Sequence, residues 1–134
     1  LRLGMLYARY GYEQEARAQF ERAISDSASL PAFLNLASLL VRQDRPTEAV
    51  NYLRRAKDMA PEDPRVYLAL AVSHVESGEI SAARNAFDEL TRLRPELARR
   101  YPLFSPDATG GAAGRASDGR NGVVEQFLLE EWSE

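Results

Sequence analysis

The sequence predicts an all-α fold, a stack of antiparallel helix hairpins, on three observations. A pattern of small and apolar residues repeats at intervals of 33 and then 34 residues. Within each copy the apolar residues recur three and four apart, the spacing of one helix face. Glycines, prolines and capping residues stand where those helices must begin or end.

The repeat is clearest in its small residues. Ala16, Ala49 and Ala83 share one column, followed four residues later by Phe20, Leu53 and Phe87, and three beyond those by Ala23, Ala56 and Leu90. Upstream, Leu3, Leu36 and Leu70 are each followed at once by a small residue: Gly4, Ala37 and Ala71. Pro61 and Pro95 close the second and third copies, where the first has Ala28. The spacing predicts helices over about 1–10, 13–26, 31–43, 46–59, 64–77 and 80–93. Phe33, Leu36, Ala37, Leu40 and Val41 form one apolar stripe, and Ala49, Val50, Tyr52, Leu53, Ala56 and Met59 another. Gly11 and Gly78 suit a helix C-terminus followed by a tight turn. Asp63-Pro64 reads as an N-cap followed by a first-turn proline, and Pro46 also suits a first turn. Small residues let paired helices approach closely, and Phe20, Leu53 and Phe87 fill the space between successive hairpins. No single hairpin can bury its own apolar face, so the copies must stack.

These columns resemble the tetratricopeptide repeat over roughly residues 1–96. The large aromatic that opens that motif is Phe33 in the second copy and Tyr67 in the third. His74 stands where the family usually has a tyrosine, as Tyr7 does in the first copy. The Sel1-like repeat, a related hairpin of slightly longer period, fits the spacing less well. The resemblance implies a right-handed superhelical stack over residues 1–104, with repeats of about 1–29, 30–63 and 64–97. It also implies that the first helix of each hairpin lines a concave groove. The positions carried over are Met5, Ala8 and Arg9; Leu34, Asn35, Ser38, Val41 and Arg42; and Arg65, Leu68, Ala69, Val72, Val75 and Glu76. This set is more apolar than a solvated helix face, and Leu34, Val41, Leu68, Val72 and Val75 have no obvious partner within their own repeat. Such a patch suits a peptide or partner helix; packing against the neighbouring repeat is the competing reading. One branch of the family grips acidic chaperone tails with a carboxylate clamp. Asn35 and Arg65 match two clamp positions, but Leu1, Met5 and Ala69 replace polar or basic ones. A terminal carboxylate pair needs several charge-assisted bonds at once, so chaperone-tail binding is not expected.

After Phe104 the composition changes. Residues 105–122 are rich in Gly, Ala, Ser and Asp, which predicts a flexible linker. Residues 123–134 regain helical spacing, with Val124, Phe127, Leu128 and Trp132 on one broad face and Glu125, Glu130 and Glu131 on the other. This amphipathic helix could cap the last hairpin, lie in the groove of its own or another molecule, or recognise an outside partner. Arg92, Arg94, Arg99 and Arg100 cluster just before the linker and could receive it.

Chemistry is sparse. His74, the single histidine, lies mid-helix in a packing column. No nucleophile and orienting acid mark a hydrolase triad around it. Asp58, Glu62 and Asp63 flank a helix end and read as solvated capping rather than metal ligands. Gly110-Gly111 follows no strand, so no phosphate loop is expected. There are no cysteines, which removes disulfides and thiolate chemistry. The formal net charge is -3, giving no overall basic field for nucleic acid; the Arg99-Arg100-Tyr101 cluster is too small to change that. No apolar run approaches the roughly 20 residues of a membrane span. Lys57 is the one lysine among 17 basic residues, a bias that suggests a GC-rich bacterial genome, with cytoplasm or periplasm equally open. The chain opens on Leu1-Arg2-Leu3-Gly4 and reads as a fragment begun inside a helix. The expected function is therefore a non-enzymatic adaptor that binds a protein or peptide, with neither cofactor nor metal. Two alternatives are self-assembly, through end-to-end or tail-in-groove contacts, and a regulatory domain of a larger enzyme.

Overall fold

The computed structural model describes residues 2–101. Among these, seven helices follow one another: α1 (Arg2–Arg9), α2 (Glu13–Ser27), α3 (Leu30–Arg42), α4 (Pro46–Met59), α5 (Pro64–Glu76), α6 (Ile80–Leu93) and α7 (Pro95–Arg100). There is no strand among the described residues. The expected hairpins are α1/α2, α3/α4 and α5/α6, and successive hairpins meet through α2 on α3, α4 on α5 and α3 on α5. The short turns make each pair antiparallel. α7 was not anticipated as a helix; it packs on α6. Pro95 supplies its first turn, and Ala98 and Tyr101 bury themselves at its end.

The same turn closes each hairpin. Gly11, Asp44 and Gly78 occupy one column of the repeat and all take positive φ, at 82°, 60° and 81°. One residue later, the amides of Tyr12, Arg45 and Glu79 donate to the carbonyls of Tyr7, Leu40 and His74 at 2.8, 2.7 and 2.8 Å. This bond, reaching back over a left-handed residue, is the Schellman arrangement that satisfies the last carbonyls of a helix. Glycine fills the left-handed site twice. Aspartate, one of the few other residues that tolerate it, does so once.

The joints between hairpins follow from proline. Ala60 and Arg94 each precede a proline and leave helical geometry, with φ of -138° and -149°, because proline disfavours the helical region in the residue before it. Ala28 stands where the other copies have proline. There α2 runs on to Ser27 and ends on Ala28 itself, left-handed at φ 48°. α3 and α5 start on side-chain caps. Ser29 Oγ accepts from the Ala32 amide, and Asp63 Oδ1 accepts from the Arg65 amide at 3.0 Å.

The core divides the helices into two kinds. α2, α4 and α6 bury one stripe each: Ala16, Phe20 and Ile24; Ala49, Val50, Leu53 and Ala56; Ala83, Ala86 and Leu90. The alanine column Ala16, Ala49 and Ala83 is fully buried throughout, the close approach the repeat predicts. α3 and α5 behave otherwise. Every residue from Pro31 to Val41 and from Val66 to Val75 is buried. α1 is the first of the described helices and is covered less, so Leu3 is exposed where its column mates Leu36 and Leu70 are buried. Met59, expected in the α4 stripe, is exposed; it falls in the last turn, just before the chain leaves the helix.

Candidate functional site

At 3.6 residues per turn, Phe33, Leu36, Ala37 and Leu40 share one arc of α3, while Leu34, Asn35, Ser38, Val41 and Arg42 share the opposite arc. The same division in α5 sets Tyr67, Leu70, Ala71 and His74 against Leu68, Ala69, Val72, Val75 and Glu76. The second arc of each helix, with Met5 and Arg9 of α1, forms the candidate groove face. These are the positions singled out from the repeat.

Their environments differ. Leu34, Leu68 and Val72 are 0% exposed, and Asn35, Ser38, Val41 and Val75 are buried. Met5, Arg65 and Glu76 are half-buried, and Arg9 and Arg42 are exposed. The apolar members of this face are therefore closed off from solvent, with exposed arginines at its edge. Burial of a Leu or Val side chain is worth about 1.5–3 kcal/mol, so covering Leu34, Val41, Leu68, Val72 and Val75 matters to stability as well as to recognition. The polar members are partly accommodated locally: Ser38 Oγ donates to the Leu34 carbonyl at 3.2 Å, and Asn35 is engaged as well.

Arg65, one of the two residues that match the clamp, is gripped by its own helix cap. Its Nε lies 3.1 Å from Asp63 Oδ1 and a terminal nitrogen 2.8 Å from Asp63 Oδ2. Burial alone would push the Asp63 carboxyl up. The hydrogen bonds from the Arg65 side chain and amide, with the charges of Arg65 and Arg94, outweigh it and hold Asp63 below the ordinary carboxylate range. A forked arginine–carboxylate pair is geometrically specific, so Arg65 is oriented before any ligand arrives. The sequence places Asp63 as the cap and Arg65 on the groove face, and the structure joins the two roles in one ion pair.

A second polar system joins α2 to α4. Arg17 Nε donates to Glu21 Oε1 at 2.8 Å and its terminal nitrogen to Glu48 Oε2 at 3.1 Å, while Tyr52 Oη reaches Glu21 Oε1 at 3.3 Å. Arg55 lies over the rings of Phe33 and Tyr52. These contacts tie the first two hairpins together. They lie on elements other than the groove helices, apart from Phe33, and spacing within one copy could not reveal them.

The remaining chemical candidates are dispersed. His74 is buried, with Nδ1 3.6 Å from Glu79 Oε1 and no hydrogen-bond partner among the described residues. No group of three or more His, Asp or Glu placed to hold a metal ion occurs among the described residues. None of the described helices is long and apolar enough to cross a membrane. Tyr101 is buried, so its ring is not presented for stacking on a base beside Arg99 and Arg100. Val124, Phe127, Leu128 and Trp132, the expected docking face of the tail, lie outside the described residues, as does the expected linker over 105–122.

Comparison with curated proteins and with solved structures returned no match. Two family models of the tetratricopeptide repeat do match, one over residues 1–64 and one over residues 40–101. They overlap in the middle hairpin and together cover all seven helices. The period, the alanine columns, the repeated turn and these matches agree: the chain belongs to the tetratricopeptide repeat family.

Proposed function

We propose that this chain is an adaptor that takes a peptide or a partner helix against the groove face of α1, α3 and α5. Tetratricopeptide repeats are in general protein–protein interaction modules. The observation that supports the specific face is its composition: Leu34, Val41, Leu68, Val72 and Val75 stand on the arcs turned away from Phe33, Leu40, Tyr67 and His74. An apolar floor with an arginine edge suits an amphipathic segment carrying acidic residues, since side chains three and four apart would fill the floor and the acids would meet the edge.

Selection of a displayed peptide library against the full chain, followed by titration, tests this. Asn35→Ala and Arg42→Glu should each weaken a selected peptide about tenfold, the loss of one well-placed polar contact. Arg54→Glu, on the exposed side of α4, should leave affinity unchanged. Circular dichroism confirms that each variant is folded. Equal binding by the Asn35, Arg42 and Arg54 variants would reject the groove.

A second reading is self-assembly through the end of the stack. It is favoured by the exposed Leu3, Leu6, Tyr10 and Tyr12 of the first hairpin. If it holds, Leu3→Glu with Leu6→Glu should lower the mass seen by light scattering. An unchanged monomeric mass in the parent chain removes this reading.

A further inference from the structure

We propose that the notch between α4, α5 and α6 is a binding site for a small aromatic acid, one ring carrying a single carboxylate. The notch has a volume of about 230 Å³, and its walls include Lys57, Tyr67, His74, Ala82, Ala86 and Glu89. Tyr67 and His74 stand on the arc of α5 opposite the groove face. The site is therefore separate from the groove and does not depend on it.

The repeat itself shows what the notch lacks. At the preceding joint, the chain supplies a ring of its own. Tyr52 of α4 sets its ring 6.4 Å from that of Phe33, tilted by 54°, and Arg55 lies over the two rings at 5.3 and 5.8 Å. One copy later the same columns hold Tyr67 for Phe33, Ala86 for Tyr52 and Glu89 for Arg55. The aromatic wall is kept, while the ring that packed on it is cut back to a methyl. Protein interiors are otherwise closely packed, so the exchange leaves an opening of defined shape. A cavity of about 150 Å³ already holds a benzene, and one six-membered ring with a small substituent fits the notch. Placed on Tyr67 at the usual separation of about 4.5–7 Å between ring centres, it restores the contact that Tyr52 makes on Phe33.

Charge selects the substituent. Lys57 Nζ lies 5.9 Å from the centre of the Tyr67 ring, and Lys57 pairs with no carboxylate among the described residues. Glu89, the acid on the wall, is held by Arg92 of its own helix at 3.0 and 2.8 Å, so its charge is already answered. His74 adds a polar group more than nine-tenths buried, and its Nδ1 has no hydrogen-bond partner among the described residues. Glu79 Oε1, at 3.6 Å, is beyond hydrogen-bond reach of that nitrogen. A ligand cation would be repelled by Lys57, and a neutral ring would leave its charge unanswered. A carboxylate at the exposed rim meets the ammonium in a charge-assisted contact, while the ring lies against Tyr67, His74 and Ala86.

Benzoate is the probe, titrated into the isotope-labelled full chain and followed through amide chemical shifts. The expected result is saturable binding with a Kd of about 1 mM, in keeping with so small a ligand. The shifts should centre on Tyr67, His74, Ala82 and Ala86. Benzyl alcohol, a neutral ring, should bind about tenfold more weakly, and acetate, an anion without a ring, should not saturate. Ala86→Tyr restores the residue of the preceding copy, so it should fill the notch from within and abolish benzoate binding. Lys57→Gln should weaken benzoate about tenfold, the loss of one charge-assisted contact, and leave benzyl alcohol unchanged. If Ala86→Tyr does not fold, the two titrations of Lys57→Gln decide alone. Shifts that fail to saturate, or that acetate reproduces, mean an ion on the surface and overturn the proposal. So do shifts centred on Leu34, Leu68 and Val72, which put the ring in the groove. So does a folded Ala86→Tyr variant that binds benzoate as the parent does, or a Lys57→Gln variant of unchanged benzoate affinity. Peptide selection reads the opposite arc of α5, so the failure of either site leaves the other standing.

Discussion

Gly4 shows how closely the repeat constrains a single position. A Cβ at Gly4 would lie 2.7 Å from Cε1 and 2.9 Å from Cδ1 of Phe20, and Phe20 is buried. In the second copy the same two columns hold Ala37 and Leu53; in the third they hold Ala71 and Phe87, but Phe87 is only half-buried, whereas Phe20 is 1% exposed. An added methyl gains about 1 kcal/mol of helix propensity. Forcing a buried ring to move costs about 1–3 kcal/mol, so the clash should win. Gly4→Ala is therefore expected to destabilise the chain by about 1 kcal/mol in urea unfolding. In a Phe20→Leu background the same substitution should be neutral or stabilising, because the second copy already accepts that pair. A penalty of equal size in both backgrounds would show that Phe20 is not the cause. The alanine columns were readable from spacing alone because three copies repeat them. The reason for glycine at position 4 was not, since it depends on the ring that happens to face it.

At the scale of a helix, the order of elements was legible in the sequence because caps and prolines are local signals. Pro46, Pro64 and Gly78 place helix ends directly, and α4 and α6 fall where periodicity puts them. α7 has no signature in the sequence, because six residues are too few to show a period. The all-round burial of α3 and α5 was also available: residues 31–41 and 66–75 contain no Asp, Glu, Lys or Arg, and a helix apolar on every side is a buried helix. The lock on α5 yields a test with a defined pH sense. Asp63 is held below the ordinary carboxylate range, so its charge contributes stability above the unfolded pKa of about 4. That contribution is lost as pH falls through the folded value. Asp63→Asn keeps a capping side chain but removes the charge that faces Arg65 and the helix N-terminus. The parent chain should exceed the variant in stability at pH 7, by up to about 1 kcal/mol. The gap should close as the pH falls well below 4. A gap that stays constant between pH 7 and pH 2.5 in denaturant titrations would assign the effect to cap geometry instead of charge.

For the whole molecule, stacking makes stability a sum of hairpins and the interfaces between neighbours, and the interfaces here are unequal. α3 and α5 are enclosed on every side. α1 exposes Leu3, Leu6 and Tyr10 and packs chiefly on α2; α7 packs on α6. Opening should therefore begin at the ends, since local unfolding costs least where the fewest buried contacts are lost. Native-state hydrogen exchange is expected to rank the amides accordingly, with α3, α4 and α5 slowest and α1 and α7 fastest. The protection of α1 should be insensitive to low denaturant, as expected for small local openings, whereas that of α3 should fall with the slope of global unfolding. Phe20→Leu weakens the packing of α2 on α1 within the first hairpin. It should speed exchange in α1 and α2 and leave α5 and α6 nearly unchanged, because the effect has to pass through the second hairpin to reach them. Uniform acceleration across all helices would mean that the three hairpins unfold as one unit. The strong burial of α3 and α5 would then belong to a single cooperative core, and the end hairpins could not yield ahead of it.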